Sequence, residues 1–496
     1  MSLRYKGGVI SPVAPTTSGT PYTGAAGGIW SMDDQMQAKA AGLWPKGAGV
    51  PNPPTGLTAT AGNSQAIVSF TAPADTGGFA VTSYTLTSTP GGFTVSGAGS
   101  PLTVTGLTNG TSYSFTGTAT SSAGTSVASA SSNTITPSNT QFSLWSWGQN
   151  FTGSGGLGNN TQYSSPKQVG SLTTWVTASG MRTVGGGVDA AGRLWMWGQN
   201  FYGTLGLGNT TYYSSPKQVG ALTNWLSVNG YNATVAIKTN GTIWGWGKNN
   251  QGQLGLGNTT NYSSPKQIGA LTDWISIRMA GNYNCTLAIR GAGPSGALWA
   301  WGSNFGGACG LGNTTKYSSP KQVGALTNWE KLQTLSFGGA SAAIKTDGTL
   351  WVWGYGTNGS LGLGNTTNYS SPKQLGSLTT WTHVSKSTKA TAAIADGKLY
   401  MWGGTNTFGQ LGQGNLNQYS SPKQVGALTN WLSAASYYNT AAIKTDGTLW
   451  TWGKNDNGQL GIGNTTSYSS PKQVGSLTKW YKVDQLYNGC IAQQTI

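Results

Sequence analysis

The chain has 496 residues, including 78 Gly and 22 Trp, but only 27 Lys and Arg, 11 Asp and Glu, and a single Glu, Glu330. This balance excludes a helical bundle and suits an all-β protein with an aromatic core and glycine turns. One His (His383) and three Cys (Cys285, Cys309, Cys490) are too few ligands and bases for a metal centre or a Ser-His-Asp triad. The expectation is a non-enzymatic protein with no catalytic residues, no metal and no cofactor.

The formal charge is +16. No run of 18 apolar residues is present, and the start, MSLRYKGGVISPVAPTTSG, has no hydrophobic stretch after its basic residues, so neither a secretory signal nor membrane insertion is expected. Three scattered cysteines imply no disulfide framework and fit folding in a reducing cytoplasm.

Charge divides the chain. Residues 51–140 contain no Lys or Arg, whereas residues 141–496 carry 23 basic and 8 acidic side chains. Residues 1–50 form a third region with one short helical signal over residues 32–41. Ser31 is its N-cap, Asp33 and Asp34 occupy the first turn, and Gly42 and Pro45 end it. Met32, Met36 and Ala40 make an apolar stripe. So short a helix needs something to pack on, either this chain or a partner. Trp30, Met32, Met36 and Trp44 are the candidate attachment residues. The stretches GGVISPVAPTTSG and GIWSMDDQMQAKAAGLWP also resemble the N-terminal segment of structural proteins of marine tailed phages, which implies attachment to other virion proteins.

Residues 51–140 read as seven short strands, with alternating apolar runs at residues 57–61, 66–70, 81–86 and 113–119. Leu107, Thr108-Asn109-Gly110 and Tyr113 have the spacing of a tyrosine corner. The segment from PNPPTGLTAT through GLTNGTSYSFTGTATSSAGTS resembles a fibronectin type III β-sandwich, with Phe70 where that family usually has a core Trp.

Residues 141–496 are periodic. Leu/Ile-Trp/Tyr-x-Trp-Gly recurs from Leu144 to Leu449, Ser-Ser-Pro-Lys-Gln from Pro166 to Pro471, and the Trp closing Leu-Thr-x-Trp from Trp175 to Trp480, each seven times at spacings of 49 to 55 residues. One unit accommodates four short strands with turns, so seven units predict a seven-bladed β-propeller. The repeat enters at its third strand, Leu144, while the chain ends on a first and second strand. One blade is therefore expected to be completed from both ends of the domain, closing the ring. The pattern LWxWGxNxxGQLGLGNTTxYSSPKQVG resembles the regulator of chromosome condensation family of propellers. Its Gly-x-x-His pattern lacks a His here, and no blade carries a large insertion, so a chromatin or GTPase regulator is the less favoured expectation.

Two sets of residues are candidates for binding. Lys167, Lys217, Lys266, Lys321, Lys373, Lys423 and Lys472 follow Pro in the outermost strand. They read either as edge protection or as a basic ring for anionic host-surface glycans. Nucleic acid is disfavoured because the charges are spread round the ring and no stacking aromatics are evidently interleaved with them. The turns between first and second strands carry Tyr231-Asn232, Tyr283-Asn284, Tyr438-Asn439 and Tyr487-Asn488. Such Tyr-Asn pairs offer an apolar plate beside paired donors and acceptors, a combination suited to sugars, with ordinary loop variation as the alternative.

The expected protein is a virion surface component of a tailed phage, assembled in the host cytoplasm, with an attachment segment, a spacer and an outward propeller. A bacterial surface adhesin is the alternative. A glycan-cleaving enzyme would need two carboxylates flanking a bond, and the propeller's Asp189, Asp273, Glu330, Asp456 and Asp484 suggest no pair by spacing.

Overall fold

The computed structural model describes residues 49–62, 65–109, 111–137, 142–181, 183–280, 285–291, 295–332, 339–387 and 389–495. The chain divides into two compact units, residues 1–139 and 140–496. Trp30, Met32, Met36 and Trp44 lie outside the described residues, as do Tyr283 and Asn284.

In the first unit, the strands Thr55–Gly62, Gln65–Thr71 and Leu102–Thr105 form one sheet. Val81–Thr89, Thr94–Gly97, Ser114–Ser121 and Gly124–Thr125 form the other. Alternate side chains point to one face of a strand, and Ala66, Val68 and Phe70 meet Tyr84, Leu86 and Phe115 in the core. Phe70 packs on Tyr84 with ring centroids 4.8 Å apart. The backbone N–H of Thr108 donates to the buried Tyr113 hydroxyl at 3.1 Å, which is the geometry of a tyrosine corner.

The second unit repeats one sheet. In sheet 2, Trp225–Gly230, Ala233–Lys238, Ile243–Gly247 and Tyr262–Gln267 pair in order, all antiparallel. Sheet 1 begins at Trp175, and sheets 3 to 6 begin at Trp274, Trp329, Trp381 and Trp431. Sheet 7 takes its first two strands from the C-terminal end, Trp480–Leu486 and Gly489–Thr495, and its last two from Phe142–Gly148 and Tyr163–Gln168. Gln493 pairs with Leu144 across that junction. The described strands thus fall into seven four-stranded sets, two of them joined by the single pair Trp175 with Phe142.

Each set grips the next through one repeated contact. The second Trp of Leu-Trp-x-Trp-Gly lies against a glycine in the loop of the preceding sheet: a Cβ on Gly206 (φ +73) would meet the Trp246 indole nitrogen at 2.7 Å. Gly461 stands in the same way to Trp147, so the last repeat meets the first. A buried Asn knits six of the seven such loops, with Gly356 in its place in sheet 4. Asn249 Oδ1 accepts from the Leu254 N–H at 2.9 Å while its Nδ2 donates to Asn258 O at 3.0 Å. This accounts for the Asn of the repeat motif by backbone satisfaction.

The aspartates have local work. Asp347 and Asp446 accept from the N–H and hydroxyl of Thr349 and Thr448, and those hydroxyls accept from the Trp351 and Trp450 indoles. These bonds hold both carboxyls below the usual carboxylate range. Asp189 binds Arg193 at 2.7 Å, and Asp273 binds Arg290 at 2.6 Å.

Candidate site on the loop face of the ring

A cavity of about 450 Å³ opens where loops of sheets 7, 1 and 2 converge. Its wall is built from two kinds of loop. The connections after the third strands of sheets 7 and 1 bring Gln149, Phe151, Gln199, Phe201 and Tyr202, and the turns after first strands bring Tyr231, Asn232, Tyr487 and Asn488. This volume lies within the range of small-molecule sites.

Among the described residues, no Asp, Glu, Lys, Arg or His lines the cavity. Phe151 and Phe201 are 59% and 63% exposed, large apolar plates at its mouth. Tyr202 crosses Phe201 edge to face, with centroids 4.8 Å apart, and Lys248 Nζ lies over the Tyr202 ring at 5.1 Å. Polar side chains of the wall are hydrogen-bonded. Asn488 Nδ2 donates to Gln149 Oε1 at 2.8 Å, Thr183 Oγ1 donates to Gln199 Oε1 at 2.6 Å, and Gln199 Nε2 donates to the Tyr212 hydroxyl at 3.3 Å. Asn488 is only 8% exposed, and its Oδ1 is buried without a hydrogen-bond partner among the described residues.

The structure brings two of the four Tyr-Asn pairs together, Tyr231-Asn232 and Tyr487-Asn488. Their reading as accessible turn residues fails at three positions, one of them the buried Asn488. Tyr231 is 3% exposed because it packs into the core of the neighbouring sheets, and Asn439 is fully buried within its second strand. Tyr438 belongs to a different cluster, with Phe408 at 6.1 Å and the Lys389 and Lys454 amines over its ring at 5.0 and 5.5 Å. Phe151, Phe201 and Tyr202 were not singled out by the sequence, although the repeat varies there, as Asn-Phe-Thr-Gly, Asn-Phe-Tyr-Gly and Asn-Asn-Gln-Gly. That variation inside an otherwise constant motif was the available signal.

The seven lysines stand elsewhere. All are exposed on the fourth, outermost strands, and none lines the cavity. Six of them lie over the Tyr that begins their own strand, Lys217 over Tyr213 at 5.4 Å and Lys472 over Tyr468 at 5.1 Å, for example. Lys423, in the two-residue strand Lys423–Gln424, is exposed like the rest. Tyrosines are therefore interleaved with the basic ring, which the sequence reading did not recognise. His383 sits in the first strand of sheet 5 with Nε2 2.7 Å from Ala434 O. Burial, aided by Lys482 and Lys331, lowers its pKa to about 4 against the opposing effect of the Ala434 bond.

The fibronectin type III domain model matches residues 52–135. The regulator of chromosome condensation (RCC1) repeat model matches six segments, 191–237, 240–288, 295–343, 347–394, 396–442 and 446–485. Among curated proteins, the X-linked retinitis pigmentosa GTPase regulator of Canis lupus familiaris is 38% identical over 81 residues, 16% of this chain and 8% of that one. The human E3 ubiquitin-protein ligase HERC2 is 32% identical over 120 residues, 23% of this chain and 2% of that one. This chain thus spans less than a tenth of either relative. Among solved structures, Prp20p of Saccharomyces cerevisiae superposes with TM-score 0.62 at 17% identity, over 72% of this chain and 92% of that one. Human WBSCR16 does so with TM-score 0.63 at 19% identity, over 71% and 99%. These two likenesses are of fold. With its repeats matched over more than half its length, the chain belongs to the RCC1 repeat family and carries a fibronectin type III domain ahead of the repeats.

Proposed function

We propose that the protein is a non-enzymatic recognition protein whose propeller binds neutral carbohydrate in the loop-face cavity, displayed on the surface of a tailed-phage virion. One observation carries the binding reading. The cavity combines exposed aromatic plates with amide side chains, and no charged group lines it among the described residues. Sugar rings present C–H faces to aromatics and hydroxyls to amides, and such a ligand needs no counter-charge. The basic ring is separate from this cavity, so an anionic glycan would be held there only by diffuse, salt-sensitive attraction. The virion setting rests on the resemblance of the N-terminal segment and on the order of segment, spacer and propeller.

The relatives' names suggest a second reading, as a regulator. Prp20p is described by its binding to Gsp1p and histones. A propeller with 23 basic and 8 acidic residues repels a basic partner such as a histone, so sugar recognition is preferred. Calorimetry of the full chain against a panel of neutral oligosaccharides tests the proposal: saturable binding lost in Phe201→Ala and Asn488→Ala supports it, and no binding across the panel overturns it. Mass spectrometry of purified particles tests the virion setting separately, since absence of this chain from them removes it.

A further inference from the structure

Cys285 and Cys309 are two of only three cysteines in 496 residues, yet their sulfurs lie 2.8 Å apart and both side chains are fully buried. Cys285 opens the second strand of sheet 3, paired with Gly302, and Cys309 lies in the loop after the third strand, where its N–H donates to Asn304 Oδ1 at 2.8 Å. The repeats provide an internal comparison. In sheet 2 the same two places hold Ala233, paired with Gly247, and Leu254, whose N–H donates to Asn249 Oδ1. Both lie in one apolar core. Sheet 4 has Ala340 and Leu361, again within one core. Only in sheet 3 is this contact made by cysteine, and there both members changed together. For so rare a residue, a paired replacement at two touching positions points to the bond the two can form.

We propose that Cys285 and Cys309 are a disulfide-forming pair that, on oxidation, staples the loop contacting sheet 4 to the second strand of sheet 3. The neighbour of Cys309, Ala308, supplies that contact, since its carbonyl accepts from Ser341 Oγ at 2.8 Å and from the Trp353 indole at 2.9 Å. The cross-link would therefore stiffen one joint of the ring. The oxidant is a low-molecular-weight disulfide. One cysteine, as thiolate, attacks a sulfur of the reagent, and the displaced half leaves and takes up a proton. The second cysteine then attacks the protein-bound sulfur, loses its proton and releases the other half as a thiol. Two protein thiols lose two electrons in all, and the reagent is reduced to two thiols. Burial, with the Cys309 thiol beside it, pushes the Cys285 thiol up, so attack is slow in the closed state and proceeds when the loop opens or as the chain folds.

The full chain is tested in two arms, incubated natively with oxidised glutathione and refolded from denaturant in a glutathione redox buffer. Thiols titrated in denaturant should fall from three to one, with Cys490 the survivor, and peptide mapping should find Cys285 linked to Cys309. The oxidised propeller should melt a few degrees above the reduced one, because the cross-link constrains the unfolded chain. In the double variant Cys285→Ala, Cys309→Leu, which installs the pair used by other sheets, the melting temperature should ignore the oxidant. Three thiols remaining after both arms, or thiols lost only to mixed disulfides with glutathione, would overturn the proposal.

Discussion

Lys386 Nζ donates to the carbonyl oxygen of Ser360 at 2.6 Å. In the other six sheets the equivalent carbonyl accepts the indole N–H of the next third-strand Trp. Trp246 takes Thr204 O at 2.8 Å, Trp301 takes Gln253 O at 3.0 Å and Trp147 takes Gln459 O at 3.0 Å. In sheet 5 the lysine has taken that acceptor, and the Trp402 indole N–H is left buried without a partner among the described residues. Lys386 itself is fully buried, and burial lowers its pKa to about 7.

Replacing this lysine should stabilise the propeller. Met279 holds the equivalent place in sheet 3, so Lys386→Met keeps volume and returns the Ser360 carbonyl to Trp402. A gain of about 1–3 kcal/mol is expected from satisfying the indole and removing a buried amine. The gain depends on pH with a definite sign. Between the folded value near 7 and the ordinary 10.5, the unfolded chain binds a proton that the folded chain does not, so the parent protein gains stability as pH rises. Urea titrations should therefore show the variant's advantage largest near neutrality and shrinking toward alkaline pH.

The ring should depend on its C-terminal strands. Gly489–Thr495 pairs along Phe142–Gly148, and Trp480 packs edge to face on Trp145 and Trp147, both centroids 6.1 Å away. Deleting residues 480–496 removes half of sheet 7 and exposes a strand edge. Calorimetry should show the propeller transition abolished and the sandwich transition kept. An unchanged propeller transition would mean that the other sheets hold without this pairing.

Cavity residues should separate into two classes. Phe201→Ala, at a 63% exposed position, should change stability by about 0.5 kcal/mol or less while weakening sugar binding tenfold or more. Tyr231→Ala removes a ring that is 3% exposed and should cost about 3–5 kcal/mol. Exchanging all seven outer lysines for Gln should leave sugar affinity and its salt dependence unchanged. Thermal melts beside calorimetric titrations check all three.

Glycine contacts give an internal control. Gly206→Ala places a methyl 2.7 Å from the Trp246 indole nitrogen at φ +73, which should cost about 2–5 kcal/mol from strain and overpacking. Gly220 has φ +61 but nothing within 4 Å of its would-be Cβ. Gly220→Ala should therefore cost only the backbone strain, about 1–2 kcal/mol. Chemical denaturation of the two variants measures the difference, and equal losses would show that the sheet-to-sheet contact contributes nothing.

The sequence by itself determined the all-β class, the repeat and the sandwich, because these are written in local signals. Glycine turns, alternating strands and tryptophans at a regular interval each act within a few residues, and the bond from Thr108 to Tyr113 spans only five positions. Candidate turn residues could be placed on one kind of loop for the same reason. Tertiary structure alone decided which of them meet. Phe151 and Tyr487 line one cavity although more than 300 residues separate them. Tyr231 is core and Phe201 is surface, though both are aromatic residues of loops that line that cavity. The meeting of Cys285 with Cys309, and the loss of the Trp402 bond to Lys386, likewise depend on what neighbouring strands and sheets place opposite each side chain. Pattern fixes which way a residue points along its strand. Burial and bonding are settled by the element packed against it, and in a ring that element comes from another repeat or the far end of the chain.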